Sequence, residues 1–261
     1  SLVCFGNGRK NYHSTKKINM AVKFNISKAF NAFKAMGGNT KFPQSLKDVL
    51  AYMQNDKNLS TKNEVAWLLA TAKVESDYSL SRWESDFLCG KAGVPYKDKP
   101  CDKAINYYRS TNNKRNYFEL GTDKNDMPYF GRGLIQLTGK SNYKTYGDII
   151  DVDLLGDGDK ALVPKNSYNI ASAYFKRRKV YKYANEENFP MARKSVKGSS
   201  SGWQKAKETY DLWINILSQP SVNFKKTRKT RKQKRNVILL SSIVVIGFAF
   251  TFWYFTRPKK R

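Results

Sequence analysis

One uncharged run of 20 residues, opened by Val237 and closed by Thr256, restricts this chain more than any other feature. About 20 apolar residues in a helix reach ~30 Å, the thickness of a bilayer's hydrocarbon core. Twelve of these residues are Val, Ile, Leu or Phe. At roughly −0.3 to −0.6 kcal/mol each near a helix centre, their insertion outweighs the cost of the Ser and Thr hydroxyls. Trp253 and Tyr254 stand near one end, where interfacial aromatics belong. Basic clusters bracket the run, residues 225–235 before it and 257–261 after it, which argues against a buried helix of a soluble core. The expectation is a single transmembrane helix over 237–256, with the lipid bilayer as partner. The heavier upstream cluster places the preceding domain on the cytoplasmic side. The arrangement is that of a tail-anchored, single-pass membrane protein held also by anionic headgroups.

The rest of the chain divides around that span. Residues 1–23 mix Gly, Asn and Lys with no apolar core of a signal peptide, and read as a basic arm. Residues 24–218 carry helical periodicity, 219–236 form a basic juxtamembrane linker and 257–261 a basic tail. Helices are expected over 26–36, stopped by Gly37-Gly38, and over 45–54, 60–75, 165–180 and 203–217. In the third, Ser60 or Thr61 is the N-cap and Glu64 sits in the first turn. With no long alternating strands and no internal repeat, the fold class is mainly α.

The formal charge of +27 bears on partners rather than fold. It admits nucleic acid, acidic lipid and the anionic polymers of a bacterial envelope, yet no nucleic-acid-binding module is recognisable and no specific nucleic acid is expected. Three cysteines, Cys4, Cys89 and Cys101, make no disulfide framework, although Cys89 and Cys101 flank a loop-like stretch and can pair in an oxidising compartment. The lone histidine, His13, lies far from them, so neither a zinc site nor a Ser/His or Cys/His catalytic pair is expected. The acidic run 151–159 has the look of a calcium loop, but its fifth position is Leu155 and its twelfth Leu162, where a carboxylate is needed. It reads as a turn, and no metal or cofactor is called for.

Chemistry concentrates in three places. Val65, Leu68 and Ala72 form an apolar stripe on the third helix, and Glu75 comes next on it at the C-terminal end. Partial desolvation and the negative helix pole both favour a protonated carboxyl there, as a general acid requires. Nine residues on is Glu84, a second carboxylate in a loop, with Asp77 and Asp86 as competitors. Glycoside hydrolysis needs such a pair, one acid to protonate the leaving oxygen and one to activate water or stabilise the cation. The third place is Tyr129-Phe130-Gly131-Arg132-Gly133-Leu134-Ile135-Gln136-Leu137-Thr138, a Gly-flanked turn leading to an apolar segment. In an extended segment Gln136 and Thr138 face the same way and can orient a sugar or a water.

The helix ending Thr71-Ala72-Lys73-Val74-Glu75-Ser76, the Tyr129 to Thr138 run, Asn142-Tyr143, and the stretch from Ala192-Arg193 to Gly198 resemble glycoside hydrolase family 19. The likeness is strongest to the phage endolysin branch of those chitinases and covers roughly 24–217. It implies a bilobal, mostly helical, lysozyme-like domain that cleaves β-1,4 links between N-acetylated sugars with inversion. Carried over by residue, Glu75 falls on the general acid and Glu84 on the general base. Thr138 falls on the hydroxyl that positions water, and Gln136 and Asn142 on cleft positions. Tyr129 belongs to the same motif as a substrate-binding candidate. Arg132 falls on the motif arginine, in contact with substrate or supporting the acid. The sequence departs from the family pattern at Val74, Gly139 and Lys197, where a histidine, a bulky residue and an asparagine are usual.

The resemblance leaves chitin and peptidoglycan open, and the basic charge favours peptidoglycan. An enzyme anchored from the cytoplasmic side faces away from such a substrate. A membrane-containing bacteriophage removes the difficulty, with the enzyme carried in the virion membrane beside capsid proteins. Two rival readings remain: a lytic transglycosylase using Glu75 alone, and a catalytically silent glycan-binding protein of the virion.

Overall fold

The central helix starts where Thr61 is followed three residues later by Glu64. The Thr61 hydroxyl accepts from the Glu64 amide at 3.1 Å, and the Glu64 carboxylate accepts in return from the Thr61 amide at 3.0 Å. This reciprocal cap satisfies donors that a helix start otherwise leaves unpaired. In the computed structural model, which describes residues 20–84 and 121–228, the helix spans Lys62–Ser76. Two helices precede it, α1 (Ile26–Ala35) and α2 (Pro43–Met53), so the capped helix is α3. Helix α1 ends where expected. Gly38 lies under the Phe33 ring, and a Cβ there would stand 2.4 Å from ring carbons, so only glycine lets the chain turn away so tightly.

Among the described residues five further helices follow: α4 (Lys140–Ile150), α5 (Pro164–Arg177), α6 (Val180–Asn185), α7 (Phe189–Lys197) and α8 (Trp203–Ser218). The stripe expected on α3 understates its burial. Residues 64–72 are buried without interruption, so α3 is wrapped on all sides, as a helix at the middle of a core must be. It packs along α8 and also against α6 and α5. Trp67 on α3 sits between Phe189 and Tyr210, at ring separations of 5.2 and 6.0 Å. Phe33 of α1 stacks on Trp213 of α8 at 5.0 Å, and the Trp213 indole donates to the Tyr78 hydroxyl at 3.0 Å.

The structure departs from the sequence reading at three further points. The helix expected over 165–180 breaks at Lys179, whose left-handed φ of 59° separates α5 from α6. Helices α4 and α7 escape periodicity because their buried faces are not conventionally apolar: Tyr143, Tyr146 and Gly147 on the first, and Phe189, Ala192 and Arg193 on the second. A short two-stranded sheet pairs β1 (Met20–Lys23) with β2 (Lys225–Arg228), and the compact unit runs Met20–Thr227, beyond the expected 24–218 on both sides. Among the described residues no helix is long and apolar enough to cross a membrane. The span expected over 237–256 lies outside them, as do Cys4, His13, Asp86, Cys89 and Cys101. In the acidic run 151–159 the Asp153 carboxylate accepts from the Gly156 amide, and Asp157 caps a 3-10 turn, Gly158–Leu162.

Candidate active site

The last turn of α3 is where the chain leaves the core. Ala72 is sealed, whereas Lys73, Val74 and Glu75 are partly exposed, and Ser76 is buried again. The Ser76 hydroxyl donates to the Leu134 carbonyl at 2.8 Å, fastening the end of the helix to the Gly-flanked turn. Asp77 then takes a left-handed φ of 55° and ends the helix. Its carboxylate accepts from the Lys41 amide and pairs with Lys73, in a depression that does not contain Glu75. Asp77 is therefore removed from competition for the second acidic role by geometry.

Glu75 and Glu84 line one groove of about 440 Å³, together with Gln136, Thr138, Asn142, Tyr174 and Lys197. Glu84 is held by Gly131. Its amide donates to the Gly131 carbonyl at 2.8 Å, and its carboxylate accepts from the Gly131 amide at 2.7 Å. Neighbouring Trp83 bridges to Arg132 in a β-like pairing, so the loop bearing Glu84 is laid against the turn. Gln136 adopts φ 53° inside that turn, which is closed by the Arg132–Leu137 bridge. Gln136 and Thr138 thus share the groove through a tight turn rather than the extended segment expected.

Hydrogen bonding limits what these side chains can offer a ligand. The Gln136 amide nitrogen donates to the Arg82 and Gly133 carbonyls at 3.1 and 2.9 Å, leaving its oxygen as the group open to the groove. The Thr138 hydroxyl donates to the Gln136 carbonyl at 2.9 Å, so it meets a water or sugar hydroxyl as an acceptor. Asn142 donates to the Thr138 carbonyl at 2.7 Å. Tyr174 donates to the Val196 carbonyl at 3.1 Å, and burial pushes its phenol upward.

Arg132 and Tyr129, expected as substrate-binding candidates, do not line the groove. Arg132 is 1% exposed. Its guanidinium lies 4.4 Å from the Phe130 ring centre and 4.9 Å from that of Trp83, donates to Tyr143 at 2.9 Å and pairs with Asp159 at 3.1 Å. Burial drives Asp159 above the usual carboxylate range, with Arg132 opposing the shift. Tyr143 is pushed up to about 12, again by burial against the pull of Arg132. Tyr129 is also buried, and its hydroxyl donates to the Thr122 and Leu155 carbonyls. Both residues build the wall behind the turn, because their polar ends are turned into the protein; only Nη2 of Arg132 lacks a hydrogen bond there, 3.9 Å from the Asp123 carboxylate.

Sequence reasoning missed the partner of Glu75. Arg193 on α7, with its side chain 4% exposed, donates to the Glu75 carboxylate at 2.5 Å. Where burial and a helix pole were expected to act alone, a guanidinium faces the carboxyl. An arginine on the buried face of α7, in line with Phe189, is the signal that could have revealed it. No group of His, Cys, Asp and Glu suited to a metal ion occurs among the described residues.

No family model matches the chain. Chitinase 8 of Oryza sativa subsp. japonica is 56% identical over 32 residues, which span 12% of this chain and 12% of that relative. Among solved structures, a mutant of chitinase C superposes with a TM-score of 0.50 at 16% identity, over 76% of this chain and 94% of that one. Chitinase C from Streptomyces griseus gives 0.44 at 17% identity, covering 76% and 70% of the two chains. A bacterial family 19 chitinase gives 0.42 at 19% identity, covering 74% and 84%. The domain described here therefore has the mainly helical, lysozyme-like fold of chitinase C.

Proposed function

We propose that this protein is a glycosidase that hydrolyses β-1,4 links in peptidoglycan, with Glu75 as general acid and Glu84 as general base. The observation that carries the reading is the meeting of both carboxylates in one groove with Gln136, Thr138 and Asn142. The glycosidic oxygen takes a proton from Glu75 as the bond to the anomeric carbon breaks. Arg193 then stabilises the carboxylate left behind. A water attacks from the opposite face and gives its proton to Glu84, while the acceptor-only hydroxyl of Thr138 orients it. The product has inverted configuration, as a general-base route requires. Gln136 and Asn142 contact sugar hydroxyls or acetamido groups from the groove wall.

Peptidoglycan is preferred to chitin because a neutral polymer gains nothing from a charge of +27, and because Lys197 stands in the groove. The uncharged segment 237–256 attaches the enzyme to a membrane, and we place it in the envelope of a membrane-containing bacteriophage, beside capsid proteins. Protease shaving of intact and opened particles tests that placement, since digestion of the Lys165 region only from the lumenal side overturns it.

Mass spectrometry of products from purified peptidoglycan and from chitin oligomers tests the chemistry. Reducing ends, lost in Glu75→Gln and in Glu84→Gln, support the two-carboxylate hydrolase. Anhydro ends that survive Glu84→Gln identify a transglycosylase relying on Glu75. Absence of any product from either polymer identifies a glycan-binding protein without activity.

A further inference from the structure

A second depression, of about 400 Å³, adjoins the groove and shares Tyr174, Val196 and Lys197 with it. Its remaining walls bring Arg178 from the end of α5 and Lys194 from the last turn of α7, and no acidic residue lines it. The volume lies within the ~300–1,000 Å³ of small-ligand sites. We infer that this annex binds a carboxylate-bearing substituent of the glycan strand held in the groove, the chemistry of a peptide stem. The inference rests on the glycosidase reading for the sugar chain and adds a subsite that selects acidic over neutral strands.

The charge arrangement supports it. Some exposed lysines elsewhere in the domain are matched by acids one helical turn away, namely Lys144–Asp148, Lys182–Glu186 and Lys207–Asp211. Among the described residues Arg178, Lys194 and Lys197 form no ion pair with a carboxylate, and all three are exposed. Lys194 and Lys197 are three residues apart on one helix, a spacing at which like charges repel. The Arg178 guanidinium lies 5.4 Å from the centre of the Tyr174 ring, which itself borders the groove. The negative poles of α5 and α7 tolerate these cations, but that effect does not require them to converge on a hollow continuous with the groove. An anion entering from a bound strand would relieve the repulsion and find donors on two helices. A substituent on the sugar is the natural source, because the annex shares three wall residues with the groove that holds the strand.

The test uses the full chain, wild type and the double variant Arg178→Ala with Lys194→Ala, neither residue lining the groove itself. Three fragments of equal sugar count are compared: a neutral N-acetylglucosamine oligomer, a peptidoglycan fragment with free stem carboxylates, and that fragment with its carboxylates amidated. In the double variant KM for the free-carboxylate fragment should rise roughly tenfold, from two exposed charge contacts, with kcat little changed. Cleavage of the neutral oligomer should be unaltered. Raising salt should erase the wild-type preference, and Lys194→Arg should retain it. Equal losses on all fragments, or no change on any, would overturn the annex. If the wild type cleaves none of them, the hydrolase reading fails while calorimetric binding still decides the annex. Tighter binding of the free than of the amidated fragment, lost in the double variant, upholds it; equal binding refutes it.

Discussion

Replacing Gly131 with alanine tests whether the placement of Glu84 controls catalysis. A Cβ at this position would stand 3.0 Å from the Gln136 side-chain oxygen, 3.1 Å from the Glu84 carboxylate oxygen and 3.2 Å from the Glu84 Cβ. Two groove residues must therefore retreat by a few tenths of an ångström. The Gly131 amide that donates to Glu84 remains, so the hydrogen bond survives in shifted geometry. Misplacement of about 1 Å costs ~100-fold in rate, and a displacement of a few tenths should lower kcat roughly tenfold. The strain is that of mild overpacking, about 1–3 kcal/mol, or a fall in Tm of roughly 2–10 °C for a domain of this size. Reducing-end release from peptidoglycan fragments measures the first effect and thermal unfolding the second. The decisive control is Gly131→Ala combined with Glu84→Gln, which should be no slower than Glu84→Gln alone, since both changes act through one carboxylate. A folded Gly131→Ala protein with wild-type kcat, or a double variant slowed by the full product of the two single effects, would refute the reasoning.

Arg193→Met should leave Glu75 without its cation in a largely enclosed site, lowering activity by more than tenfold and stability by about 3 kcal/mol; kinetics and thermal melting read both. Arg132→Met should cost about 3–5 kcal/mol by stranding Asp159 and Tyr143, and should also lower kcat below the melt, because the turn that Arg132 fixes carries the Gly131 clasp on Glu84; thermal unfolding and kinetics read the two effects. Thr61→Ala removes one half of the α3 cap and should cost about 1 kcal/mol by denaturant unfolding, with activity retained. Tyr143 titrates near 10 when unfolded and is pushed up to about 12 in the fold, so its contribution to stability is complete below pH 10 and is lost as pH rises toward 12. Stability measured across that interval should fall by about 2–3 kcal/mol more in the wild type than in Tyr143→Phe.

How far the sequence spoke for the structure depended on whether burial was written in apolar residues. Helices α1, α2, α3 and α8 were legible because leucine, phenylalanine, tryptophan and alanine recur at helical spacing between visible caps and glycines. Helix α7 was not, because its buried face includes Arg193, whose presence makes sense only once Glu75 is seen opposite. Glu75 could be named as a candidate from its place on the helix, whereas Glu84 stood beside Asp77 and Asp86 on spacing alone and was singled out only by the family resemblance. Their neighbours could be sorted only by coordinates: Arg132 belongs to the same motif as Gln136, yet one residue's polar end is turned inward and the other's outward. Period-two reasoning placed Gln136 and Thr138 together for the wrong reason, since a left-handed turn does the work that an extended strand was expected to do.

The two carboxylates are held by different physics. Glu75 projects from the end of a helix buried on all sides for nine consecutive residues, so its backbone can move only if the core moves. Glu84 depends on a two-bond clasp to Gly131, and behind that clasp the turn is fixed by Arg132, buried among Phe130, Trp83 and Tyr143. The side chains follow the reverse order: the Glu75 carboxyl is set by an ion pair from a separate helix, whereas the Glu84 carboxyl is set by the same glycine that fixes its backbone. Disturbing α7 should therefore act first on the Glu75 carboxyl, and disturbing the 131–138 turn first on that of Glu84. The groove thus joins two halves positioned by different means and tied together by the Ser76–Leu134 hydrogen bond, with Lys197 on its rim on the same helix as Arg193.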